Sequence, residues 1–209
     1  SKETKAQKIP LVFRENVGQW DQEIVFKGSS SSANVFFTKD GLVVSHSRKV
    51  ESIRTEEKGA TENLFWKIQF EGALTNLKIR PIAPSGSITN YMIGDSKKHR
   101  NNIPDYKELM YESVYENIDL HYYAKGDELK YDFIVKPGAD IAAIKLKTEG
   151  IKNISLNKDG SLELKHKWGS VLEQKPYSYQ LINGKEVEVD VRYELKNATT
   201  YGYKVYGHY

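Results

Sequence analysis

Asp119 and His121 stand two apart in Ile118-Asp119-Leu120-His121-Tyr122-Tyr123, and Asp132 follows in Leu129-Lys130-Tyr131-Asp132-Phe133. Residues two apart on a strand share a face, so Asp119 and His121 point the same way. A returning strand would bring Asp132 onto that face. A cross-strand Asp119–Asp132 pair could bind a cation or supply the paired carboxylates of a carbohydrate-active enzyme, with Glu128 as a further acid. The competing reading makes Asp119 structural, an acceptor for the N–H groups of a neighbouring loop.

Other chemistry is sparse. Asp127, Glu128 and Asp140 lie beside turns, where Asp serves backbone geometry. No Asp-x-Asp-x-Asp-Gly calcium loop occurs, and His46, His99, His121, His166 and His208 show no zinc spacing. The serines at 29 to 32 lack a nucleophile elbow, and no glycine-rich phosphate loop opens a helix. Trp168, Tyr122 and Tyr123 could offer sugars a stacking surface, although such rings commonly pack β-cores. The candidate binding residues are therefore Asp119, His121, Asp132, Tyr122, Tyr123 and Trp168. No catalytic residue, metal ligand or cofactor is assigned, and no enzyme activity is expected.

The elements that must position these residues are strands. Leu129, Tyr131, Phe133 and Val135 alternate with Lys130, Asp132, Ile134 and Lys136, the period of a half-buried strand. Ile118, Leu120 and Tyr122 form the apolar face of the preceding run, and Lys125-Gly126-Asp127 turns between them. Asp40-Gly41 and Asn183-Gly184 mark further hairpins. The charged run 48 to 62 reads as a solvated loop and 28 to 33 as a flexible one. Residues 84 to 87 read as a turn, and Val187 to Leu195 as one alternating strand. No long helical period appears. The expectation is all-β, a mostly antiparallel β-sandwich with two sandwich-like lobes. A polar tail spans 1–8 and the lobes span 9–96 and 104–209, meeting in the turn-rich stretch 94 to 106; one continuous domain over 9–209 is the alternative.

Composition narrows the setting. The net charge is +3, with Lys and Glu alternating along the same strands, which argues against nucleic acid as partner. With no cysteine, disulfides, thiolate metal sites and a Cys nucleophile are excluded. No apolar run is long enough to insert in a membrane. The opening SKETKAQK reads as a polar tail left after processing or trimming. The final strand, Tyr201 to Tyr209, reads as an edge awaiting a neighbour.

Six motifs in order resemble a known family. They are Phe13-Arg14-Glu15-Asn16-Val17-Gly18-Gln19-Trp20, Phe36-Phe37-Thr38-Lys39-Asp40-Gly41, Asn90-Tyr91-Met92-Ile93-Gly94-Asp95, Tyr115 to Tyr123, Leu129 to Asp140, and Lys175-Pro176-Tyr177 with Tyr179-Gln180. Together they resemble an uncharacterised N-terminal domain of secreted bacterial surface proteins. Those proteins carry SBBP repeats or gliding-motility-associated, type IX sorting domains. Asn117 replaces that family's usual glycine, and Lys97-Lys98-His99-Arg100 replaces its Trp-rich segment. The resemblance implies a secreted or cell-surface setting and carries over no catalytic residue. The expected function is a non-catalytic interaction or structural module whose partners are downstream domains of the same chain, a surface protein or a glycan. A carbohydrate-binding domain or carbohydrate-active enzyme is the alternative.

Overall fold

Alternating apolar residues make strands of 63% of the described residues, against 3% in helix. The computed structural model describes residues 10–30, 33–50 and 60–207; the tail expected at 1–8 lies outside them. The strands are β1 (Val12–Glu15), β2 (Phe26–Ser29), β3 (Asn34–Thr38), β4 (Gly41–Lys49), β5 (Thr61–Phe70), β6 (Lys78–Tyr91), β7 (Arg100–Tyr115), β8 (Ile118–Lys125) and β9 (Glu128–Val135). They continue with β10 (Lys145–Glu149), β11 (Asn153–Leu156), β12 (Leu162–His166), β13 (Gly169–Glu173), β14 (Tyr179–Ile182), β15 (Lys185–Glu188), β16 (Asp190–Leu195) and β17 (Thr200–Tyr206).

All pairings are antiparallel. The large sheet runs β16-β17-β10-β5-β4-β3-β2-β1-β7-β8-β9, with β6 also on β7; β11-β12-β13 and β14-β15 form two small sheets. The large sheet turns back on itself. Tyr131 and Phe133 on β9 meet Tyr203 on β17, with the hydroxyls of Tyr131 and Tyr203 3.4 Å apart and the rings of Phe133 and Tyr203 at 5.7 Å. These strands lie near opposite ends of the pairing order, so their meeting closes an all-β, sandwich-like fold that is not a barrel. Leu162 and Leu164 of β12 and Ile154 of β11 join the same buried core as Phe13, Phe37 and Tyr111.

Several local expectations change. The halves expected as lobes are hydrogen-bonded into the one large sheet, β1 to β7 and β5 to β10. Of the stretch 94 to 106, only 94–99 is the connecting turn, and Arg100 onward belongs to β7. Residues 84–87 form no turn between two strands: β6 is continuous and bulges between Pro84 and Ile88, with Ala83 and Gly86 at positive φ. Arg48 and Lys49 end β4 and Thr61 and Glu62 begin β5, while 51–59 lie outside the described residues. Gly28 and Ser29 of the expected flexible loop end β2. The run from Val187 to Leu195 breaks at Val189, so β15 and β16 serve different sheets. Strand β17 is interior, between β16 and β10, and not an edge.

Gly41 shows how closely neighbouring strands of the sheet meet. Its φ is +155°, and a Cβ there would stand 2.0 Å from the Ile68 carbonyl oxygen on β5. Only glycine leaves that backbone approach open.

Candidate functional site

Strand parity sorts the candidate residues between two faces of the β7–β8–β9 ribbon. Tyr122 shares the inward face with Ile118 and Leu120 and is buried. Its ring packs on Phe37, Tyr111 and Tyr131 at 5.1, 5.9 and 5.8 Å. It is therefore a core residue and offers no free stacking surface. Asp119, His121 and Tyr123 take the other face.

On that outward face the register places His121 opposite Asp132 and Asp119 opposite Ile134. The direct Asp119–Asp132 pair is thus not formed; the two acids are diagonal neighbours. Asp119 turns to the β7–β8 bulge, where its Oδ1 accepts the Ser113 N–H at 2.7 Å and its Oδ2 meets Lys136 Nζ at 2.7 Å. Ser113 and Asn117 both have positive φ there, so the carboxylate braces an irregular backbone. Partial burial works against its charge, but Lys136 and the Ser113 N–H outweigh that and hold the carboxyl below the usual range. His121 Nε2 lies 2.8 Å from Glu108 Oε2, and the His121 ring lies 5.3 Å from Tyr123. Burial first, then hydrogen-bonded Asp132, raises the Tyr123 hydroxyl; Tyr179 acts in the same direction from the β14 side. Glu128 pairs with Lys130 at 2.9 Å. The result is a surface row of Glu108, His121, Asp132 and Tyr123 whose members bond to one another.

Trp168 lies elsewhere, in the turn between β12 and β13. The Arg48 guanidinium covers its ring at 4.3 Å. Its indole Nε1 is buried without a hydrogen-bond partner among the described residues. No three His, Asp or Glu side chains among the described residues stand where they could hold a metal ion together.

One acid missed in the sequence is Glu173, at the end of β13. Its side chain keeps some surface, but the carboxyl end enters a nest of tyrosines and bonds Tyr131. Tyr122, Tyr131, Tyr193, Tyr201 and Tyr203 all feel its charge. The Tyr201 hydroxyl is buried with no partner among the described residues. Burial drives the Glu173 carboxyl upward; the Tyr131 hydrogen bond and the Lys130 charge offset only part of this. A raised carboxyl means the folded chain holds this proton more tightly than the unfolded one. Its contribution to stability is full below the unfolded value, about 4.5, and is lost as pH rises through the folded value. Glu173→Gln keeps a polar group for Tyr131 and removes the titration. We expect it to be more stable than the parent at pH 7 and to lack the decline above the unfolded value, read from urea unfolding across pH. Equal pH slopes for both proteins would show the carboxyl to be solvated. Asp119 acts with the opposite sign: its stabilisation is present above its unfolded value and is lost as pH falls through the folded one.

Four of the six sequence motifs place polar side chains in turns and caps. Asn16 accepts from the Gly18 and Trp20 N–H groups and donates to the Asp21 and Ile24 carbonyls at 2.8 and 2.7 Å. Gln19, buried, accepts the Val17 N–H and donates to the Glu15 carbonyl, both at 2.7 Å. Arg100 donates to the Val17 carbonyl and crowds Gly18, where a Cβ would stand 2.7 Å from its Nη2. Asp40 accepts from Thr38 Oγ1, while Asp95 and Asp140 cap short 3-10 turns through the Lys97 and Ala142 N–H groups. These residues therefore serve irregular backbone, which has few substitutes.

A family model described as a domain of unknown function (DUF7948) matches residues 13–209. No curated protein and no solved structure matches. No helix among the described residues is long and apolar enough to cross a membrane.

Proposed function

We propose a function for a chain that belongs to the DUF7948 family, a domain of unknown function: it is a non-catalytic binding module of a larger secreted or cell-surface bacterial protein. The supporting observation is the β14–β15 hairpin. Asn183 and Gly184, both at positive φ, close its turn. Leu181 is 67% exposed and, just before the hairpin, Tyr177 is 68% exposed. Tyr179, Ile182 and Val187 are exposed as well, and they divide between the two faces of the ribbon. A two-stranded ribbon is marginal in water by itself, and clustered apolar exposure marks an interaction surface. Its occupant on this reading is another domain of the same polypeptide. Lys185, Glu186 and Glu188 would form the polar rim of that contact.

The test compares this chain with the product of its complete reading frame by hydrogen exchange. Residues 179–188 should exchange more slowly in the longer protein, and Leu181→Ser with Tyr177→Ser should abolish that protection without moving the urea midpoint of the isolated chain. A reading frame with no further domain, or unchanged exchange, overturns the proposal.

A glycan is the second reading. It is favoured by the exposed Tyr177–Tyr179 ring pair, 5.8 Å apart, close to the Tyr123–Asp132–His121 row. Saturable binding on a glycan array that Tyr179→Ala removes would favour it. Polysaccharide turnover abolished by Asp132→Asn would make the module an enzyme.

A further inference from the structure

His46 on β4 and His166 on β12 are 120 positions apart in sequence, yet their rings stack with centroids 5.3 Å apart and planes at 19°. They join the small β11–β13 sheet to the large one. One nitrogen of each ring already has its role fixed. Trp66 Nε1–H donates to His46 Nε2 at 3.2 Å, so that nitrogen carries no proton. The Trp168 backbone N–H donates to His166 Nδ1 at 3.2 Å, so that nitrogen carries none either. The His46 ring also lies parallel to Trp66, and Arg48, two residues on, covers Trp168. One junction thus holds two imidazoles and two indoles.

We propose that this stack is an acid-released latch: protonation of the His46–His166 pair frees the β11–β13 sheet from β4 and β5. Adding a proton at His166 Nδ1 or His46 Nε2 replaces an acceptor by a donor that faces another donor, and the hydrogen bond is lost. A second proton sets two cations ring to ring in a half-buried place.

The charged groups nearby do little to relieve this. From β4, Arg48 adds positive charge. From β5, Glu62 is committed to Arg48 at 2.8 Å. Beside His166 in the chain, Lys165 and Lys167 are positive and exposed. Burial, and then the proximity of His46, lowers the His166 value. A lowered histidine stabilises the fold above its unfolded value, about 6.5, and that stabilisation is lost as pH falls through the folded one. The window for release is therefore mildly acidic.

Trp66 and Trp168 are built-in reporters. The isolated chain is taken from pH 8 to pH 5 while tryptophan fluorescence, histidine ring NMR shifts and amide exchange are followed. We expect the His166 ring to titrate below the free-histidine value, about 6.5. Fluorescence should change in the same window, and amides of β12 and β13 should lose protection while those of β7 and β8 keep theirs. His166→Phe keeps a stacking ring without a titration and should abolish the fluorescence step and the loss of protection; His166→Gln is the substitute should that variant not fold. His121→Gln should leave both unchanged. Titration of His166 at the free value, or a step that survives in the His166 variants, overturns the latch.

Discussion

Asp105→Ala should cost about 3 kcal/mol or more of folding stability, because it strands a cation. Asp105 on β7 is 4% exposed and stands directly opposite Arg14 on β1. Its Oδ1 accepts from Arg14 Nε and Nη2, both at 2.8 Å. Its Oδ2 accepts from Ser87 and Thr89, both on β6, at 3.1 Å. One carboxylate therefore ties three strands, and it does so beside the bulge where β6 departs from regular pairing. Removing it leaves a partly buried guanidinium and two hydroxyls without their acceptor. Breaking such a pair costs about 3–5 kcal/mol, whereas replacing both ions by apolar residues is often neutral. Arg14 retains some access to water, which places the expectation at the lower end. Urea unfolding should show the midpoint of Asp105→Ala falling at constant slope, and Arg14→Met combined with Asp105→Leu should recover most of the loss. A loss below about 1 kcal/mol, the range of exposed pairs, would mean that the bridge is solvated.

That bridge was invisible in the sequence for a definite reason. Arg14 and Asp105 are 91 positions apart, and nothing in the period of either strand says that β1 lies against β7. Local pattern records which face of a strand is apolar and where a tight turn falls. It therefore foretold the β8–β9 hairpin with Ile118, Leu120 and Tyr122 inward, the Asn183-Gly184 turn and the all-β class. It could not foretell β5 against β10 or the meeting of β9 with β17, which depend on how the sheet curls. For the same reason Glu173 passed unnoticed: its tyrosines come from β8, β9, β16 and β17. The candidate row fared in between. Parity placed Asp119, His121 and Tyr123 on one face, but register decided that Asp132 sits opposite His121 and not opposite Asp119. Val189 shows the opposite failure, an unbroken alternation that tertiary structure divides between two sheets.

Tyr111 tests whether the curled sheet is held by side chains that cross its interior. It is fully buried on β7, and its ring meets Phe70 of β5 and Tyr122 of β8 at 5.4 and 5.9 Å. Its hydroxyl donates to the Thr38 carbonyl at 2.8 Å, with the Gly41 carbonyl at 3.2 Å. It therefore reaches from one layer to the β3–β4 turn in the other, the turn whose glycine presses on β5. Burial first, then Tyr122 and Asp40, pushes the phenol well above its ordinary value, so it stays a donor at any pH the fold meets. Truncating an aromatic of this size in a packed core costs about 3–5 kcal/mol, because the cavity adds to the lost transfer energy. Tyr111→Ala should lose that much. Tyr111→Phe keeps the ring and should lose only about 1 kcal/mol, the net worth of a hydrogen bond. Comparing the two by urea unfolding separates packing from polar closure. If Tyr111→Phe cost as much as Tyr111→Ala, the hydrogen bond to the β3–β4 turn, and not the ring, would be what keeps the two layers together.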